Sequence, residues 1–348
     1  IFLFEFQHSL TRKLQEMPHH DHIQFSLMSH NLPSSNIAFY KFCVPYIQKQ
    51  AFSTERDVAI TSILYREKRA VLNLFSIRQS GCQASIVILS NENMRFEEQT
   101  IKLINALDVT VAFSPIHGKL TGTHTDQIRT YFVVNFLKLH IKKYDRVFFF
   151  DSFDCFFEHD PFEYFTEPKV YLFQESQVKI KDNDCNRNWI INCYGSVGLN
   201  QIANDLIVCA GTVAAGSIVE FIHLYYVLDV QNKWRKCRID QGQLNYIIYS
   251  GILTKYNVSY SLVSDTGPVQ AIALSQKIFN YHFNGSQYQY VNNRFNQTAA
   301  VVHQYNRVES LMKSYFNRCN TSLFLNSIDS NSTNIKNAIH VDLCDPIS

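Results

Sequence analysis

Two carboxylates stand three residues apart at the end of a wholly apolar run, Phe148-Phe149-Phe150-Asp151-Ser152-Phe153-Asp154. Hard oxygen ligands delivered to a strand end suit Mn²⁺ or Mg²⁺, and such an ion can hold a diphosphate and neutralise it as it leaves. An aspartate in that place also serves as an ordinary turn or capping residue. A second cluster, Ile239-Asp240-Gln241-Gly242-Gln243-Leu244-Asn245-Tyr246, opens a helix with a carboxylate and amides. Asp240 is there either an N-cap or a partner for sugar hydroxyls. In a third, Val301-Val302-His303-Gln304-Tyr305-Asn306-Arg307, an apolar strand delivers an imidazole followed by a cation suited to phosphate. A lone His after an apolar pair is more commonly a core residue, so it is the combination of the three that carries information.

The elements that must position these groups follow from hydrophobic patterning. The runs 58–63, 85–89, 109–113 and 146–150 are short, apolar and mostly β-branched or aromatic, and the segments 68–77, 98–107 and 126–140 between them have helical spacing. Near-continuous apolar strands alternating with helices predict a parallel sheet covered on both faces, whose ligand site lies beyond the carboxyl ends of the strands. Asp151 falls at such an end. Beyond Pro161-Phe162 the pattern is mixed: 170–173 and 205–209 read as strands, 216–230 and 241–250 as helices. No linker divides the chain. Residues 1–50, with Pro18-His19-His20-Asp21-His22, read as an irregular extension whose His cluster is a solvated loop rather than a metal site; 51–316 read as the folded domain, and 317–348 as a polar tail.

The 348 residues are 46% hydrophobic and 18% charged, enough to bury a full core, which excludes a disordered chain. A formal charge of +2 without a basic run gives no phosphate-tracking face, so nucleic acid is not an expected partner. No apolar stretch approaches a membrane span. The nine cysteines form no CxxC pair, which leaves zinc ribbons and thioredoxin-like sites unsupported, and their odd number leaves at least one thiol free. Sequons at Asn257, Asn284, Asn296, Asn320 and Asn331, with this cysteine usage, lead us to expect an N-glycosylated protein of the secretory-pathway lumen (Golgi or ER) or a secreted one. A membrane anchor upstream of Ile1 is part of that expectation, as is a Cys319–Cys344 bridge in the tail.

Taken in order, the three clusters resemble glycosyltransferases of the type A (GT-A) fold, especially the glycogenin-like family 8 and related eukaryotic enzymes, over roughly Asp57 to Arg307. The family's Asp-x-Asp element, which binds Mn²⁺ and the nucleotide-sugar diphosphate, is matched by Asp151 and Asp154 in Asp-x-x-Asp spacing, so that Asp154 or a water takes the second place. Its Asn-Ser-Gly segment appears as Cys209-Ala210-Gly211, which keeps the glycine and loses an amide. Its Asp-Gln-Gly-x-Leu-Asn segment is matched by Asp240-Gln241-Gly242-Gln243-Leu244-Asn245. Its late metal-binding His matches His303, with His282 of Tyr281-His282-Phe283-Asn284-Gly285 as a rival. The resemblance further implies Arg129 near the donor phosphates or sugar, with a surface salt bridge as the alternative. It also implies Ala59, Ile60, Thr61 and Tyr65 around the base and ribose.

The implied fold is α/β, a Rossmann-like mixed sheet, mainly parallel, with helices on both faces. The implied reaction is a metal-dependent, retaining transfer of a hexose from a nucleotide diphosphate sugar, UDP-sugar foremost, to a hydroxyl of a glycan, glycoprotein or glycolipid. Mn²⁺ or Mg²⁺, Arg129 and Arg307 would stabilise the departing diphosphate, and Asp240 and Gln241 would position donor or acceptor. An inverting variant would need Asp240 or Glu175 as base. Two other classes remain. A phosphotransferase with Asp151 as nucleophile wants a second Asp where Phe153 stands; a non-catalytic, carbohydrate-binding or structural protein on the same scaffold would account for the altered segments.

Overall fold

The structure is a computed structural model that describes residues 25–28, 51–64, 70–116, 124–231, 237, 239–264, 266–274, 281–284, 288–291, 293 and 295–319. After β1 (Ser26–Met28), the sequence runs become strands β2 (Asp57–Ser62), β3 (Ser85–Asn91), β4 (Val109–Ser114) and β5 (Arg146–Phe150). With β7 (Val170–Lys179), β8 (Leu206–Ala215) and β9 (Tyr260–Val263) they form an eight-stranded sheet in the order β1-β4-β3-β2-β5-β8-β7-β9. The block β4-β3-β2-β5 is parallel, and β8 runs antiparallel to both its neighbours. The expected mixed sheet with helices on both faces is what the chain forms.

Alternation along each strand makes two cores. Val147 and Phe149 of β5, with Val58 and Ile60 of β2, meet α3 (Thr125–Leu139) and α5 (Ile218–Val230) through Phe132, Phe136, Phe221 and Leu224. Phe148 and Phe150 point the other way, onto α1 (Val71–Gln79), α2 (Glu98–Ala106) and a cluster of rings. Phe157 meets Phe150 edge-on at 5.1 Å and Phe165 stacks on Phe148 at 5.7 Å. Each such ring contributes about 1.5–3 kcal/mol on burial, which fixes β5 at the centre.

A second, three-stranded sheet joins β6 (Cys155–Phe157), β10 (Val269–Ala271) and β13 (Val301–His303) in the order β10-β13-β6. Strands β11 (Tyr281–Asn284) and β12 (Tyr288–Val291) pair separately. Remaining helices are α4 (Asp184–Ile202), α6 (Asp240–Tyr249), α7 (Ile252–Lys255) and α8 (Glu309–Arg318). Helix α4, which periodicity did not signal, is broken by the left-handed Gly195, so no continuous apolar stripe runs along it.

Two boundaries differ from the sequence reading. Residues 26–28, placed in an irregular extension, pair antiparallel with β4 and close that edge of the sheet. Residues 317–318, placed in the tail, end α8, where Arg318 pairs with Glu158 at 2.5 and 2.8 Å in a site closed to solvent. Both depend on partners remote in sequence, which local patterning does not see. The His19–His22 cluster, Tyr65, Cys344 and the sequons at Asn320 and Asn331 lie outside the described residues. Cys193 and Cys237 form a disulfide; Cys82, Cys155 and Cys209 are free thiols, all buried.

Candidate active site

Strand β5 ends beside β8 in a register that pairs Phe150 with Thr212, and the Asp151 amide then donates to the Gly211 carbonyl at 2.7 Å. The Asn73 side chain of α1 donates to the Asp151 carbonyl at 3.0 Å. Four residues after Asp151 β6 begins, and its antiparallel pairing with β13 sets His303 opposite Cys155. The Gln304 amide donates to the Asp154 carbonyl at 2.7 Å, so the turn after β13 is tied to the turn before β6. Two sheets thus meet at the two carboxylates.

His303, 1% exposed, holds Nε2 3.2 Å from Asp154 Oδ1 and 3.4 Å from Asp151 Oδ2, and its Nδ1 lies 3.4 Å from Cys209 Sγ. Gly211 backs this group: a Cβ there would stand 2.3 Å from Asp151 Oδ2 and 2.6 Å from His303 Cε1. Arg129 of α3 donates to Asp151 through Nη1 and to Asp240 Oδ2 through Nε and Nη2, at 3.2 and 2.9 Å. Gln241 accepts from the Ala210 amide at 3.2 Å and donates to Asn186 of α4 at 3.0 Å. Asn245, one turn on, brackets Val208 by accepting from its amide and donating to its carbonyl.

The electrostatics follow from burial and pairing. Burial lifts the Asp240 carboxyl to about 6 against the pull of Arg129. Asp151 is also desolvated, yet Arg129 and His303 hold it below the usual carboxylate range. Arg129, despite its burial, is held charged by Asp151 and Asp240. Burial pushes the Cys209 thiol up to about 12 and raises Cys155 and Glu175 as well, so the two thiols are neutral in the absence of a metal.

A divalent cation fits these residues. Asp154 Oδ1 and His303 Nε2 are buried polar atoms without a hydrogen-bond partner, and they face each other. A buried atom left so costs free energy, and an ion between them would satisfy both. The Nδ1 contact to Cys209 Sγ orients the ring so that Nε2 points at the two carboxylates, the orientation of a ligating histidine.

No family model matches the sequence, and no curated protein matches it. Among solved structures, the chain is similar to the galactosyltransferase LgtC in complex with donor and acceptor sugar analogues: 10% identity over 75% of this chain and 96% of that one, with a TM-score of 0.46. It is also similar to the apo form of the glycosyltransferase GlyE of Streptococcus pneumoniae (14%, 72% and 54%, 0.41). A third is glucosyl-3-phosphoglycerate synthase of Mycobacterium tuberculosis in complex with Mn²⁺, UDP and glucosyl-3-phosphoglycerate (12%, 60% and 69%, 0.35). At such identities no residue role transfers.

Asp151, Asp154, His303, Gly211, Arg129, Asp240 and Gln241 are brought together. Arg129 is a half-enclosed clamp between two carboxylates, not a surface salt bridge. Ala59, Ile60 and Thr61 lie in β2 beside β5: Ala59 and Ile60 belong to opposite cores, and the Thr61 hydroxyl donates to the Phe150 carbonyl at 2.7 Å. A central strand buried on both faces leaves only its backbone for a ligand. Arg307 lies half-buried in the turn that leaves β13, and the Tyr65 expectation falls outside the described residues. His282 lies in the separate β11–β12 pair. Sequence reasoning missed Asn73, Asn186 and Cys155. Adjacency to Asp154 was the only signal for Cys155, and the three-residue β6 gave no pattern to orient it.

Proposed function

We propose that the chain is a metal-dependent glycosyltransferase of the GT-A type that moves a hexose from a nucleotide diphosphate sugar, UDP-sugar foremost, to an acceptor hydroxyl of a glycan, glycoprotein or glycolipid. The observation that carries this reading is the convergence of Asp151, Asp154 and His303, from two sheets, beside the Arg129–Asp240 pair. Asp151, Asp154 and His303 would hold Mn²⁺ or Mg²⁺, and the ion when bound supplies positive charge against the departing diphosphate. Arg129, fixed by two carboxylates, is a cationic group for the diphosphate, and Arg307, in the turn after His303, would be a second. Asp240 has one oxygen engaged by Arg129 and positions sugar hydroxyls with the other. This positioning role, with no free carboxylate assigned to take the acceptor proton, goes with a retaining course. Gln241 ties α6 to β8 and to α4, and so sets the Ala210-Gly211 wall of the site.

On the same reading the protein is N-glycosylated and belongs to the secretory-pathway lumen (Golgi or ER) or is secreted. The Cys193–Cys237 disulfide and the exposed, left-handed turn positions of Asn257 and Asn296 support it. The decisive experiment is thermal unfolding against a panel of nucleotides and nucleotide sugars with Mn²⁺, Mg²⁺ or chelator, repeated for Asp151→Ala and His303→Ala. A metal-dependent rise with one nucleotide family, lost in both variants, is the expected result. Absence of any shift in the parent protein would sink the transferase reading in favour of a non-catalytic carbohydrate-binding or structural role.

A further inference from the structure

Cys155 follows Asp154 directly, is fully buried, and enters β6 opposite His303. The Asp154 carboxylate, the Cys155 thiol and the His303 imidazole each bring one ligand atom into a group whose members lie within 4.8 Å of one another. A single ion bonded to sulfur at about 2.3 Å and to nitrogen or oxygen at about 2.0–2.2 Å would draw the three ligand atoms together around it. Two further observations point into the same volume. Asp154 Oδ1 and His303 Nε2 are buried with no hydrogen-bond partner, and His303 is turned by its Nδ1 contact to Cys209 Sγ.

We propose that Cys155 is a ligand of the cation at this site, so that Asp154, Cys155 and His303 form a mixed oxygen, sulfur and nitrogen set that takes a borderline-soft divalent ion such as Zn²⁺ or Co²⁺ in preference to Mg²⁺. The inference rests on the metal-binding reading above and sharpens it, because a set of oxygens and one imidazole would suit Mn²⁺ or Mg²⁺, whereas thiolate sulfur selects softer ions. Cys209 has a different place. It faces the other nitrogen of His303 and orients the ring without ligating. On binding, the Cys155 S–H bond breaks, a proton leaves to solvent, and the sulfur lone pair forms the bond to the ion.

The test uses the full chain, freed of metal by chelator and titrated with Co²⁺, Zn²⁺, Mn²⁺ and Mg²⁺ alone. Cobalt bound to sulfur shows a near-ultraviolet thiolate-to-metal charge-transfer absorption that oxygen and nitrogen ligands do not give. The expected result is that band in the parent protein, its loss in Cys155→Ser and its persistence in Cys209→Ser. Zn²⁺ affinity should fall on the order of tenfold or more in Cys155→Ser while Mn²⁺ affinity changes by less than about threefold. Because the band is read on the unaltered protein, poor folding of a variant does not shield the proposal. Tight Co²⁺ or Mn²⁺ binding without the band would overturn the role of Cys155 and leave the metal-dependent transferase standing. No binding of any of the four ions would overturn both.

Discussion

Gly211 and Asp151 face each other across β8 and β5 so closely that a methyl group on Gly211 would lie 2.3 Å from the carboxylate oxygen. The glycine is required there by a close approach, since a Cβ would occupy the place of the Asp151–His303 contact. Gly211→Ala is therefore expected to lower stability by about 1–3 kcal/mol through overpacking. It should also remove any metal-dependent rise of the thermal midpoint. A variant that melts with the parent and still responds to metal would show that the two strands part more easily than their pairing implies.

Asp240 gives a pH dependence with a definite sign. Its carboxyl titrates at about 6 in the folded chain against an ordinary 3.8, so the native state keeps a proton that the unfolded state releases. That contribution to stability is present below about pH 4 and is lost as pH rises through about 6, for a difference of about 3 kcal/mol at most. Asp240→Asn, which resembles the protonated acid, should gain stability relative to the parent between pH 5 and 8 and match it near pH 4, while the proposed transferase activity falls. Unfolding midpoints across that range check it; a gap constant with pH counts against the assignment.

Arg129 is the cation between two carboxylates, and its removal leaves both desolvated and unbalanced. Arg129→Met should cost about 3–5 kcal/mol at neutral pH. Acidification, or Mn²⁺ binding at Asp151, should restore part of this, because each removes the uncompensated negative charge. Calorimetric melts with and without the ion decide the matter: a loss that neither treatment relieves would point to packing against Phe149, over whose ring the guanidinium lies at 5.6 Å.

The Glu158–Arg318 pair makes the end of α8 part of the folded unit. Its guanidinium meets both carboxylate oxygens and lies over the rings of Phe156 and Tyr315. Arg318→Met should destabilise by about 3–5 kcal/mol by stranding a buried carboxylate, and the double change with Glu158→Gln should recover much of it. Denaturant titration of the single and double variants measures this. Additive losses would mean that the two side chains are not coupled.

The strands from β2 to β5, the helices between them, and the placement of Asp151 at a strand end were legible in the sequence because hydrophobic periodicity is a local property that each segment carries by itself. The helix that begins at Asp240 was legible for the same reason. What the chain alone could not give was register and crossing. Pairing of β5 with β8 sets Gly211 against Asp151, and pairing of β6 with β13 brings His303 to Asp154 with Cys155 beside it. Strands of three residues carry no readable pattern, and their partners are far away in the chain. Likewise only the parallel pairing of β2 with β5 set the Thr61 hydroxyl against the Phe150 carbonyl, which accepts its hydrogen bond. The sequence thus determined which groups with chemistry the protein has and on which elements they stand; tertiary packing decided which of them meet, because contacts between remote segments depend on how whole faces bury against one another.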